Sequence, residues 1–224
     1  MKVAGLRGEI VDVLRRLEAG GLVTGTSGNI SARDAESGLV AISPTSIPYD
    51  RLRPEEVSVV DAGGGLLEGA APSVELPMHL AIQSGRPEVG AIVHTHSPYA
   101  TALAAVVDEI PVVVAEQAAA VGGPVPVVPY APTGERAMGE AVLAAGDAWA
   151  AIVRSHGPVC LGRSLAEALR CAFAVEEAAQ VYAIARQHGE PALLPEDELV
   201  RLNRLRLRPR ASAARPGRSR RSRS

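Results

Sequence analysis

Two short apolar runs, Val89 to His94 and Trp149 to Val153, each pass the chain to a histidine-bearing segment and then to a signal that turns it. The first leads through His94-Thr95-His96 to Ser97-Pro98, where proline suits the first position of a helix because its missing N–H would have no intrahelical partner there. The second leads to Ser155-His156-Gly157. Runs of this length between turn-forming residues read as buried strands. Strands that end beside polar side chains and alternate with helices restrict the chain to a layered α/β domain.

The flanking segments agree. Leu6, Ile10, Val13, Leu14 and Leu17 recur at helical spacing until Gly20-Gly21 stops them. Asn29 to Ala32 and Leu39 to Ser43 read as strands around a polar turn at Asp34 to Gly38, and Val57 to Asp61 reads as another. Ser73 is the expected N-cap of a helix through Met78, Leu80 and Ile82, with Pro77 in its first turn. The Pro-rich stretch from Val125 to Pro132 reads as a connection, followed by a helix from about Glu135 to Leu143. Ser164 and Glu167 form a capping box for a long helix to about Gln187, closed by His188-Gly189. No internal repeat stands out.

The core is aliphatic, because 47% of the chain is hydrophobic while it holds one Phe and one Trp. The net charge of −2 conceals a division: ten Arg and no acidic residue follow position 200, so residues 1–200 carry 13 Lys+Arg against 25 Asp+Glu. Such an acidic body does not suit a general nucleic-acid binder. The Arg- and Ser-rich segment 208–224 reads as a solvated, disordered tail beside one domain at 1–207. No apolar stretch approaches the ~20 residues that span a bilayer, and the start lacks a secretory h-region, so a cytoplasmic protein is expected. Cys160 and Cys171 have neither metal-site nor disulfide-framework spacing and read as reduced, buried thiols.

In an extended strand residues i and i+2 point to one side, so His94 and His96 can offer both rings to one ion. His156 would supply a third imidazole, and three such ligands leave a divalent ion with an open position. Zn²⁺ is the expected metal, with Co²⁺, Mn²⁺ or another divalent ion as substitutes. Glu75, four residues before His79 on one helix face, reads either as a general acid/base or displaceable ligand, or as a first-turn carboxylate complementing the helix dipole. His79 and His188 read as structural. Glu116 is either a second acid/base or a surface charge.

Thr24-Gly25-Thr26-Ser27-Gly28-Asn29 combines hydroxyls with glycine and loop N–H groups, the ingredients of an anion cradle, without a Walker or dinucleotide pattern. Ser43-Pro44-Thr45-Ser46 and Pro72-Ser73 offer further hydroxyls that could close around the same anion.

Thr26-Ser27-Gly28-Asn29-Ile30-Ser31, Ser43-Pro44-Thr45-Ser46-Ile47-Pro48-Tyr49, Pro72-Ser73-Val74-Glu75 with Met78-His79, Val93-His94-Thr95-His96 and Ser155-His156-Gly157, in this order, resemble the class II aldolase/adducin family. The likeness covers about Leu6 to Gln187. It implies a three-layer α/β/α domain with a central, mainly antiparallel sheet. It further implies zinc ligands at His94, His96 and His156, a catalytic acid/base at Glu75, and substrate-phosphate contacts at Asn29, Thr45 and Ser73, to which the hydroxyl- and glycine-bearing loops add Thr26, Ser27, Gly28 and Ser46. The expected activity is retro-aldol cleavage of a short ketose 1-phosphate, in a homotetramer with sites at subunit interfaces. The epimerase branch has aspartate where this chain has Glu75. Two positions depart from the aldolase branch, Ser46 for glycine and Val74 for serine, and no tyrosine follows Tyr182, where that branch draws one from a neighbouring subunit. The alternatives are a pentulose-phosphate 4-epimerase or sugar-phosphate dehydratase of the same fold, with Glu116 as a base, and a non-catalytic adducin-like interaction protein.

Overall fold

A computed structural model describes residues 1–207; the segment 208–224, expected as a disordered tail, lies outside the described residues. Helix α1 (Ala4–Ala19) precedes strands β1 (Asn29–Arg33), β2 (Val40–Ile42), β3 (Ser58–Val60) and β4 (Leu66–Glu68). Then come α2 (Leu76–Gly85), β5 (Ala91–His94), α3 (Pro98–Ala104), β6 (Glu109–Ile110), α4 (Ala115–Ala120), β7 (Val125–Val128) and α5 (Arg136–Ala144). The chain continues through β8 (Ala150–Val153), β9 (Gly157–Gly162), α6 (Leu165–Arg186) and α7 (Glu196–Leu207). The nine strands form one sheet in the order β4-β3-β2-β1-β5-β9-β8-β7-β6. Only the β7–β8 pair is parallel; the remaining pairs are antiparallel.

The central strands are apolar on both faces, as strands covered by helices on both sides must be. Ala91 and Val93, Ala150 and Ile152, and Cys160 join one core with residues of α1, α3 and α6. The alternate residues Ile92, Ala151, Val153, Val159 and Leu161 join a second core with Met78 and Ile82 of α2 and Met138 and Val142 of α5. The three-layer architecture follows directly from this period of two. The same alternation aims the polar residues: His94 shares the α2-facing side with Ile92. On β1, Ile30 and Ala32 join the first core, which leaves Asn29 and Ser31 facing α2.

Several local expectations need correction. The helix after Ser73 begins only at Leu76, with Glu75 at its N-cap, because Pro72 bridges Pro44 and the Ser73 N–H bonds the Ser43 carbonyl, holding this stretch extended against the end of β2. Strand β5 ends at His94, so His96 lies beyond it in the approach to α3. Strand β9 was not anticipated, since Gly157-Pro158 and the closing Gly162 resemble turn residues. Proline is tolerated there because Pro158 sits near the strand start, where its carbonyl still accepts the Thr95 N–H. Likewise Val125–Val128 is a strand rather than a connection, with Pro126 paired to the two-residue strand β6. The short elements β4, β6 and α4, and helix α7, also went unanticipated.

Ser164 does cap α6, its hydroxyl accepting the Glu167 N–H at 3.3 Å, but the Glu167 carboxylate reaches back to the Arg163 N–H rather than to residue 164. Cys160 and Cys171 are buried free thiols. Among the described residues no helix is long and apolar enough to cross a membrane.

Candidate metal centre

Two strand pairings and one hairpin turn bring the site together. β1 and β5 pair with Asn29 opposite His94, and β5 and β9 pair with His94 opposite Val159, so the sheet places residue 94 between the two strands that start at the site. The β8–β9 hairpin closes at Val153 and Gly157. Between them Ser155 adopts a left-handed conformation at φ 58°, which swings His156 back toward β5.

His94 Nε2 lies 3.1 Å from His96 Nε2 and 3.2 Å from His156 Nε2. The Glu75 carboxylate completes the group, Oε2 at 3.3 Å from His94 Nε2 and Oε1 at 3.2 Å from His156 Nε2. A tetrahedral site with metal–nitrogen bonds of about 2.0 Å has edges of about 3.3 Å, so these separations fit a small divalent cation. The tautomer fits as well. His94 Nδ1 is 2.9 Å from the Pro158 carbonyl, which can only accept, so the proton is on Nδ1 and Nε2 presents its lone pair to the cluster. His94 is buried, whereas His96 is exposed and His156 half-buried, which leaves an approach from solvent.

Burial pushes the His94 ring down to about 3, against the pull of the Glu75 charge, so it is neutral at ordinary pH. His96 is lowered too, by burial first and then by the neighbouring charge of His156. Burial alone would raise Glu75, but the hydrogen bond from His156, the positive charge that His94 takes up in acid and the hydrogen bond from Asn29 hold its carboxyl at about 2. An ionised carboxylate beside a neutral His94 ring is the protonation pattern that metal binding requires.

The Glu75 and His79 side chains share no direct hydrogen bond, although the His79 N–H lies 3.4 Å from the Glu75 carbonyl. Asn29 stands between them, donating from Nδ2 to Glu75 Oε2 at 2.7 Å and meeting His79 Nε2 through Oδ1 at 2.5 Å. The Asn29 side chain is therefore held toward the interior, with one of its two amide hydrogens committed to Glu75, while its main chain pairs with His94 in the sheet. Sequence reasoning missed this linking role; the period-two pattern of β1 carries the signal for it.

The three loops expected to form an anion site are hydrogen-bonded to one another. The Ser73 N–H bonds the Ser43 carbonyl, the Thr45 N–H bonds the Ala71 carbonyl, and the Ser43 hydroxyl accepts the Ile30 N–H. Tyr49 staples the third loop, its hydroxyl reaching the carbonyls of Ser27 and Gly28 at 3.0 and 2.7 Å. Thr26 and Ser46 are exposed and Thr45 is half-buried, whereas the Ser27 hydroxyl is engaged by the Thr24 N–H and the buried Ser73 hydroxyl by the Glu75 N–H. Ser46 holds φ 60°. Gly28 is at φ 76° with the His94 carbonyl 2.6 Å from where a Cβ would stand, so no side chain fits. Glu116 is exposed in the first turn of α4 and does not enter the His–Glu cluster, and His188 is exposed after α6.

The sequence profile described as Class II Aldolase and Adducin N-terminal domain matches residues 8–183. The chain belongs to this family. Among its class II aldolase relatives, a 5-deoxy-D-ribulose 1-phosphate aldolase of Bacillus thuringiensis is 38% identical over 199 residues, covering 88% of this chain and 92% of the relative. An L-ribulose-5-phosphate 4-epimerase of Salmonella paratyphi C is 34% identical over 209 residues, covering 87% and 91%. A solved L-fuculose 1-phosphate aldolase superposes with a TM-score of 0.86 at 30% identity, covering 92% of this chain and 97% of that one. The class II aldolase fold is thus shared over nearly the whole described chain.

Proposed function

We propose that this protein is a divalent-metal-dependent lyase that cleaves a short ketose 1-phosphate to dihydroxyacetone phosphate and an aldehyde. The observation that carries this reading is the approach of the ionised Glu75 carboxylate to three converging imidazole nitrogens, at 3.2 and 3.3 Å from two of them. His94, His96 and His156 would hold the ion, with zinc the preferred occupant. When bound, it supplies Lewis-acid polarisation of substrate oxygens and offsets the negative charge that develops on them.

The protein groups supply the rest. The loops around Thr26 to Asn29, Thr45-Ser46 and Ser73 would receive the phosphate. In cleavage the hydroxyl beside the breaking carbon–carbon bond gives up its proton as it becomes the aldehyde, and the electron pair of that bond stays on the carbon that becomes part of dihydroxyacetone phosphate. Glu75 would deliver a proton to that carbon, so that the proton count is unchanged. In the condensation direction the same carboxylate removes that proton. The 5-deoxyribulose 1-phosphate named for the Bacillus relative belongs to the proposed substrate class. Glutamate at position 75, where the resemblance gives aspartate in the epimerase branch, favours cleavage over epimerisation. A cytoplasmic homotetramer with sites at subunit boundaries is part of the proposal, and light scattering tests the assembly.

The deciding experiment incubates zinc-loaded protein with dihydroxyacetone phosphate and a panel of aldehydes. A condensed ketose phosphate supports the lyase. An isomer of equal mass formed from a pentulose 5-phosphate supports the epimerase, and then Glu116 becomes the second acid/base to test. A Glu75→Gln protein that still binds zinc should lose the reaction, and full activity in that variant would remove Glu75 from the proposed role.

A further inference from the structure

Behind Glu75 runs a string of buried polar side chains that the proposed chemistry does not use. Ser31 Oγ lies 2.7 Å from His79 Nδ1, His79 Nε2 lies 2.5 Å from Asn29 Oδ1, and Asn29 Nδ2 lies 2.7 Å from Glu75 Oε2. Gln83 Nε2 reaches Ser31 Oγ from the far end at 3.5 Å. Ser31 and His79 are fully buried, and Asn29 and Glu75 nearly so. A hydrophobic pair would fill the same space, and burying this many polar groups costs free energy unless each is satisfied.

The polarity of the string is forced from its end. An ionised carboxylate only accepts, so Asn29 must turn its amide nitrogen to Glu75 and its oxygen to His79. His79 Nε2 must then carry the proton. Burial pushes this ring down to about 4, so it is neutral and Nδ1 is bare. Ser31 therefore donates to Nδ1. Every hydrogen points toward Glu75.

We propose that His79 is a positioning residue for the reaction: through Asn29 it pins Glu75 Oε2 as an acceptor, so that the proton Glu75 carries during turnover is confined to Oε1. Oε1 is the oxygen that faces His156. Without His79 the Asn29 amide is free to rotate its oxygen toward the carboxylate, which repels the charged form and loosens the carboxylate's aim. This inference rests on the reading of Glu75 as the acid/base.

The test compares His79→Leu and His79→Gln in the zinc-loaded protein, alone and with Asn29→Ala. The glutamine amide can both donate to Asn29 and accept from Ser31, whereas leucine can do neither. Expected for His79→Leu is a fall in kcat of about tenfold or more with KM within about twofold and zinc content unchanged, as for loss of other outer-shell partners. His79→Gln should stay within about threefold of the parent, and in the Asn29→Ala background His79→Leu should cost no more than about twofold. Parental kcat in His79→Leu, equal losses for Leu and Gln in folded protein, or the same loss with and without Asn29 would each overturn the proposal.

Should His79→Leu not fold, Ser31→Ala replaces it. Removing the hydroxyl that fixes the tautomer should lower kcat about threefold, the size of one neutral hydrogen bond, and unchanged kcat would count against the string. If the parent condenses no aldehyde, the functional reading fails separately, and the imidazole ¹⁵N resonances of His79 decide the string alone. A proton on Nε2 supports it and a proton on Nδ1 overturns it.

Discussion

Gly157 packs against the carbonyl of Thr95 so tightly that a Cβ at residue 157 would overlap that oxygen and stand 3.3 Å from the His96 Cα. The hairpin residue after one histidine thus rests on the backbone between the other two. Gly157→Ala should force β9 away from β5, at a cost of roughly 2–3 kcal/mol, and carry His156 out of the cluster. Urea unfolding should show the loss of stability, and zinc titration a fall in affinity of at least about tenfold.

Metal removal should leave the fold intact but less stable. An ion that binds only the folded state, present at about 100 times its Kd, adds about 2.7 kcal/mol, or roughly 5–10 °C for a chain of this length. Thermal unfolding with a chelator and then with restored zinc should show this shift in the parent and in His188→Ala. In His156→Ala the shift should vanish.

Stability should fall with acid in a way that depends on His79. Its ring titrates near its ordinary 6.5 in the unfolded chain but near 4 when folded, because burial disfavours the charged form. Between those values the unfolded chain binds the extra proton, so the contribution is complete above 6.5 and is lost as pH falls toward 4. The size is roughly 3 kcal/mol. Urea titrations of metal-free protein at pH 7 and pH 4.5 should show a smaller drop for His79→Gln than for the parent.

Ser46 holds a left-handed backbone at φ 60°, a conformation that costs a side chain roughly 1–2 kcal/mol and glycine almost nothing. Ser46→Gly should therefore keep or slightly raise the melting temperature. If its exposed hydroxyl contacts the substrate phosphate, KM should rise about three- to tenfold, the size of one hydrogen bond, with kcat unchanged. An unchanged KM would take residue 46 out of the phosphate site.

Much of the candidate site is readable along the chain because its parts are local. A histidine at the end of an apolar run, glycine where the backbone must pass closely, and clustered hydroxyls before a strand are each set by a few neighbouring residues. The aliphatic alternation of β5 and β8 likewise implies helices on both faces. The start of α2 was misjudged because Ser73 satisfies the local rule for a cap, while a bridge to Pro44, distant in sequence, keeps it extended. Strand β9 was missed because Gly157-Pro158 has the composition of a turn, and only pairing with β5 and β8 makes it a strand.

By itself the sequence determined which side chains could do chemistry and which face of each strand they would occupy, since both depend on residue type and a spacing of two. Only the tertiary structure decided that Asn29, on the face its spacing assigns, would meet both His79 and Glu75, and that the hairpin at Ser155 would bring His156 to within 3.2 Å of His94. Those outcomes depend on the register of β1 against β5 and of β5 against β9. Pairing between strands far apart in the chain is chosen by burying two cores at once, which no local stretch of residues encodes.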